Sequence, residues 1–171
     1  MYKKGLRNLE EPYRTIIDRL LHELLGMFNG KLRSLVIYGS VARGDYRKDS
    51  DIDILLIIDE LPKSRLERTR LFIKVEEKMD RILDELLDKG YKISFSPIIK
   101  TPEEAQRLSP LYLDMVEDAI IVYDRNCFFE KILEKLKKKL KELGAERIWI
   151  GKKWYWRLKK NYEFGEAIII E

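Results

Sequence analysis

The eight residues DIDILLII (51–58) restrict the fold of this chain more than any other stretch. After two aspartates the run is wholly apolar, and a run of that kind suits a strand in the middle of a sheet. A second short apolar strand, SLVIYG, lies just upstream at 34–39. Only residues 40–50 separate the two. A doubly wound domain would need a full crossover helix in that interval, so that architecture is not expected.

The other elements follow from periodicity and punctuation. EEPYRTIIDRLLHELLGMFNG reads as a first helix, with Pro12 in its first turn and Asn29-Gly30 as its stop. Residues 63–88 read as one long amphipathic helix with Leu66, Ile73, Met79, Ile82, Leu83 and Leu86 inward. YKISFSPIIK (91–100) alternates at period two and gives a third strand, with Pro97 pointing to an edge or bulge. Thr101, Pro102 and Glu104 form a helix start with capping-box spacing. A short helix, a fourth strand (119–124) and a basic helix over 127–143 complete the pattern. The expected class is therefore α+β: a mixed sheet of about four to five strands with helices mainly on one face.

Composition sets outer bounds. At 171 residues the chain has room for one real core, read as residues 1–125, with a basic helix and aromatic tail (126–171) packed on it. No stretch has the length and apolarity of a membrane helix, and the N-terminus lacks a signal-peptide core, so a cytoplasmic protein is expected. One cysteine, Cys127, excludes an internal disulfide and is read as a buried thiol or helix-start residue. A single histidine, His22, argues against a histidine-based metal site or triad, and a surface role suits it better. Charged residues make up 37% of the chain with a single glutamine, a thermophile-like balance. The positive surplus sits late: residues 1–125 hold 22 basic and 23 acidic side chains, residues 126–171 hold 12 and 7.

The chemistry concentrates where the first two strands meet. Asp51 and Asp53 are two apart on a strand, hence on one face, roughly 6–7 Å apart, and can share a divalent cation. Oxygen-only ligands suit Mg²⁺ or Mn²⁺, which keep substrate phosphates in their shell. Gly39 lets a phosphate approach the backbone, Ser40 offers a hydroxyl, and Arg43 and Lys48 bring positive charge. Each of these features alone is more often structural than functional. Together, as GSVARGDYRKDSDIDILL, they resemble the signature of the DNA polymerase β-like nucleotidyltransferase superfamily, close to the minimal nucleotidyltransferases of bacteria and archaea.

That resemblance implies a palm-like core and transfer of a nucleoside monophosphate from an NTP to an acceptor hydroxyl. It implies Gly39 and Ser40 at the outer phosphates and Asp51 and Asp53 as catalytic metal ligands. It also implies a third carboxylate on the strand after the long helix, facing the aspartate pair. Here Ser94 and Ser96 hold the site-facing positions of that strand, and neither can act as a carboxylate base. Asp45, Asp49, Glu103 and Glu104 are the candidates to reach in from loops. The missing acid keeps open an alternative, a weak or inactive antitoxin-like module working through a HEPN-domain partner. The aromatic and basic tail, with Trp149, Trp154, Tyr155, Trp156, Tyr162 and Phe164, reads first as a cover packed on the core. Its other readings are RNA binding through 146–160 and closure over the metal site, with Arg157 or Lys159 reaching phosphate.

Overall fold

The computed structural model describes residues 1–151 and 153–161. The expected helix α1 (Tyr13–Phe28) is followed by the antiparallel pair β2 (Leu32–Tyr38) and β3 (Ile52–Ile58), in register Leu35↔Leu56 and Tyr38↔Asp53. Strand β4 (Phe95–Lys100) runs parallel to β3, and β5 (Ile120–Asp124) runs antiparallel to β2. A two-residue strand that the sequence did not suggest, β1 (Lys3–Lys4), adds to β5. The sheet order is β1-β5-β2-β3-β4, a mixed five-stranded sheet. Pro97 lies in β4, an edge strand, as its missing N–H requires.

The helices do not gather on one face. Ile52, Ile54, Leu56 and Ile58 point to a cluster built with α1, α3 (Arg65–Glu76) and α4 (Asp80–Leu87). Leu55 and Ile57 point the other way, to a cluster built with α5 (Pro102–Gln106), α6 (Leu111–Asp118) and α7 (Phe128–Leu143). A strand apolar on both sides needs cover on both, so the expectation of helices mainly on one face is corrected.

The long helix predicted over 63–88 is also broken, by a 3₁₀ turn at Glu77–Met79. The inward stripe leading into the break is Arg68, Phe72 and Val75, continued by Met79 within it. Leu66 and Ile73, expected inward, are 62% and 43% exposed. Arg68 fills its place in that stripe by pairing through both terminal nitrogens with Glu104, at 2.6 and 3.0 Å. The Thr101–Glu104 capping box forms as predicted.

Beyond α7 the described part of the tail is a hairpin, β6 (Glu146–Ile150) and β7 (Lys153–Arg157), in register Trp149↔Trp154. Tyr162 and Phe164 lie outside the described residues. Cys127 is exposed, at the start of α7 and not buried. His22 is exposed on α1.

Candidate active site

The β2–β3 register sets the centre of the site. Asp53 stands opposite Tyr38, the last residue of β2, so its carboxylate lies beside the turn into α2 (Gly39–Arg43). Gly39 has φ +72° there, and a Cβ on it would fall 2.0 Å from Asp53 Oδ2. The glycine is thus required twice, by backbone conformation and by the carboxylate that fills its missing side chain's space. Ser40 follows on the first turn of α2. Its carbonyl accepts from the N–H groups of Gly44 and Asp45 and closes the helix.

Asp53 is half-buried. Burial raises its carboxyl above the ordinary range, Asp51 pushes the same way, and Arg43 partly opposes them. The Tyr38 phenol is pushed up to about 12 by burial and by Asp53. Such a carboxylate pair is electrostatically incomplete and fits a divalent cation, since cations of this type take oxygen ligands only. Asp51 and Asp53 would hold it. Among the described residues no group of three or more His, Cys, Asp or Glu side chains is placed to hold a metal.

Strand β4 closes the other side. Ser96 is paired with Asp53 in the β3–β4 ladder, and Ser94 Oγ donates a hydrogen bond to Asp51 Oδ1. Of the four loop acids considered as substitutes, Asp45 alone is paired, among the described residues, with a residue of the site. Asp45 pairs with Arg43 at 3.1 Å and Asp49 with Arg47 at 3.3 Å. Glu103 and Glu104 follow Lys100 at the opposite end of β4, which is roughly 13 Å from Ser96 by strand rise, and Glu104 is bound to Arg68.

Of the four nucleotide-grip candidates, Gly39, Ser40 and Arg43 come together. Lys48 does not join them: its ammonium lies 4.9 Å from the Tyr91 ring, which packs on the α1 side of the sheet, away from Asp53.

The tail meets the site at Arg43, through Trp154. The Arg43 guanidinium lies over the Trp154 ring at 4.8 Å. The indole N–H groups of Trp154 and Trp156 both donate to Asp114 Oδ1 on α6, at 2.7 and 2.8 Å, and Arg147 pairs with Asp118 one turn on, at 2.5 Å. The hairpin is therefore pinned along one face of α6 and reaches the site through Trp154. Arg157, suggested as the tail's phosphate contact, is instead paired with Glu146 at 2.5 Å. The alternation in KWYWR, which sets Trp154 and Trp156 on one face, was the available signal. Nothing in the sequence pointed to Asp114.

The profile of the nucleotidyltransferase domain matches residues 17–123, which run from within α1 through the Gly-Ser turn and the aspartate pair into β5. A Methanocaldococcus jannaschii protein is 30% identical over 147 residues, covering 85% of this chain and 95% of its own. The chain belongs to the nucleotidyltransferase domain family. That relative carries the provisional name protein adenylyltransferase MJ1305. The protein adenylyltransferase MntA of Thermococcus cleftensis is 38% identical over 92 residues, 53% of this chain and 86% of its own. Among solved structures, a nucleotidyltransferase from Sulfolobus solfataricus aligns at a TM-score of 0.44 and 20% identity, covering 65% of this chain and 79% of its own. An MntA–HepT toxin–antitoxin structure aligns at 0.41 and 15%, covering 76% and 92%. This nucleotidyltransferase has no described helix long and apolar enough to cross a membrane.

Proposed function

We propose that this nucleotidyltransferase uses ATP and a divalent cation to transfer an adenylyl group to a hydroxyl side chain of a protein. The observation that carries the reading is the meeting of Asp53 with Gly39: a carboxylate set directly against a phosphate-permissive turn. The choice of adenylyl group and protein acceptor is supported by the names of the relatives above.

In this reading the Gly39 backbone, the Ser40 hydroxyl and the Arg43 guanidinium grip the outer phosphates. The bound cation supplies charge neutralisation at the triphosphate. The acceptor oxygen forms a bond to the α-phosphorus, and the bond to the β,γ-pyrophosphate breaks, with the electron pair leaving on pyrophosphate. Ser94 and Ser96 cannot take the acceptor's proton as a carboxylate would. An acceptor that gives up its proton readily to solvent water suits such a site, and a tyrosine phenol, with a pKa of about 10, does so more easily than an aliphatic hydroxyl. A HEPN-domain protein, the partner implied by the family resemblance, is the first acceptor to try.

The test is incubation of the chain and that partner with ATP labelled at the α- or the γ-phosphate. Label from the α-position alone should enter the partner, and Asp51→Asn should abolish it. Incorporation from the γ-position, or full transfer by the variant, would sink the reading.

A further inference from the structure

A second charged feature lies along the open edge of β4. A cleft of about 740 Å³ runs beside that strand, between the start of α3 and the segment joining α5 to α6. Its volume is in the range of ligand sites. Lys63 and Arg65 enter it from one wall, Arg107 from the other and Lys100 from the strand. Among the described residues Lys63, Arg65 and Arg107 make no ion pair, although most other arginines of the chain do. Lys100 is half-buried, and its Nζ donates to the Tyr112 hydroxyl at 3.1 Å. Burial lowers its pKa, and the adjacent Glu104 is already bound to Arg68. The floor between the cations is aliphatic: Pro97, Ile98, Leu108 and Pro110.

These features narrow the occupant. Among the described residues no aromatic ring lines the cleft for bases to stack on, which disfavours single-stranded nucleic acid. The cations come from three separate segments with an aliphatic floor between them, which a lone phosphate would leave uncovered. Addition of a strand to β4 is hindered, because Pro97 has no N–H to offer and the Ile99 carbonyl accepts from Arg68 Nη1 at 3.3 Å. What remains is a chain that brings carboxylates to the rim and small apolar side chains to the floor. The cleft also leads to the reacting centre: Pro97 directly follows Ser96, which is paired with Asp53.

We infer that this cleft receives an extended acidic segment of the acceptor protein and leads its hydroxyl toward the Asp51–Asp53 end of the sheet. The inference rests on the protein-acceptor reading above. It makes the β4 edge a specificity surface, separate from the nucleotide grips on β2 and α2. Carboxylates on the segment meet Lys63, Arg65 and Arg107.

The experiment uses the full chain and a triple variant, Lys63→Glu, Arg65→Glu, Arg107→Glu, whose side chains are exposed. Fluorescence anisotropy would follow three labelled probes: a short peptide of Glu, Leu and one Tyr, the same peptide with Lys for Glu, and a short oligouridylate. The acidic peptide should bind, weaken as salt rises, and lose about tenfold in affinity in the variant. The lysine peptide should not bind. Absent acidic-peptide binding, equal affinity in the variant, or oligouridylate binding that replaces the peptide's and is lost in the variant would each overturn the inference. Peptide binding is read without ATP. Loss of ATP binding would therefore sink the donor-site reading alone, and intact ATP binding with no peptide binding would sink the cleft alone.

Discussion

Gly39 carries no side chain because Asp53 occupies the space one would fill. A Gly39→Ala substitution places a Cβ against Asp53 Oδ2 and forces φ +72° on a residue that resists it. The variant should lose about 1–3 kcal/mol of stability in denaturant titration and most of its metal-dependent ATP affinity in calorimetry. Normal ATP binding would mean that Asp53 does not need its observed position. The residues of this centre were legible in sequence because each has a chemical signature at fixed spacing: glycine before serine, then paired aspartates opening an apolar run. Lys48 was not separable from Arg43 on that basis. Both are cations in one loop, and only the fold decides that one lies by Asp53 and the other over Tyr91.

Among the elements, the C-terminal hairpin has the closest bearing on the site. It presents the Trp154 face to Arg43 and hangs on α6 through Asp114 and Asp118. A guanidinium stacked on an indole is held in one orientation before phosphate arrives, so less freedom is lost on binding. Trp154→Ala should weaken ATP binding about threefold to tenfold, and Trp154→Phe, which keeps a ring face, should recover much of it. Tighter binding in Trp154→Ala would mean that the hairpin obstructs the site. The tail was the least legible element because its rings are adjoining in sequence and their partners are remote. Periodicity names a face but not what meets it. The same limit applied to α3, where one continuous helical phase was drawn through a segment that changes pitch at residues 77–79. Phe72 and Val75 were missed and Leu66 and Ile73 taken in their place.

At the scale of the whole molecule, the pairing of Arg68 with Glu104 ties α3 to α5 across the edge of β4. The hydrogen bond from Arg68 holds the Glu104 carboxyl below its ordinary range, with a smaller contribution from the Thr101 backbone. A carboxyl depressed in the folded state contributes stability above its unfolded pKa and loses it as pH falls through the folded value. Wild-type stability should therefore decline on acidification below about pH 4.5, and Glu104→Gln should start lower and lose less over the same interval, measured by denaturant titration. An identical acid limb in the variant would contradict this. The four longer strands of the mixed sheet and their core were largely readable because buried strands advertise themselves by apolar runs. The two-sided placement of the helices was not, since it depends on which of two equally apolar faces each helix finds.

The central claim is that Asp51 and Asp53 form a metal-dependent nucleotide site against the Gly39-Ser40 turn. Calorimetric titration of ATP with Mn²⁺ into the chain and into an Asp51→Asn, Asp53→Asn double variant tests it most directly. The account predicts metal-dependent binding that the double variant loses while keeping its fold. Binding of equal strength by both proteins, or no binding by the wild-type chain, would contradict it.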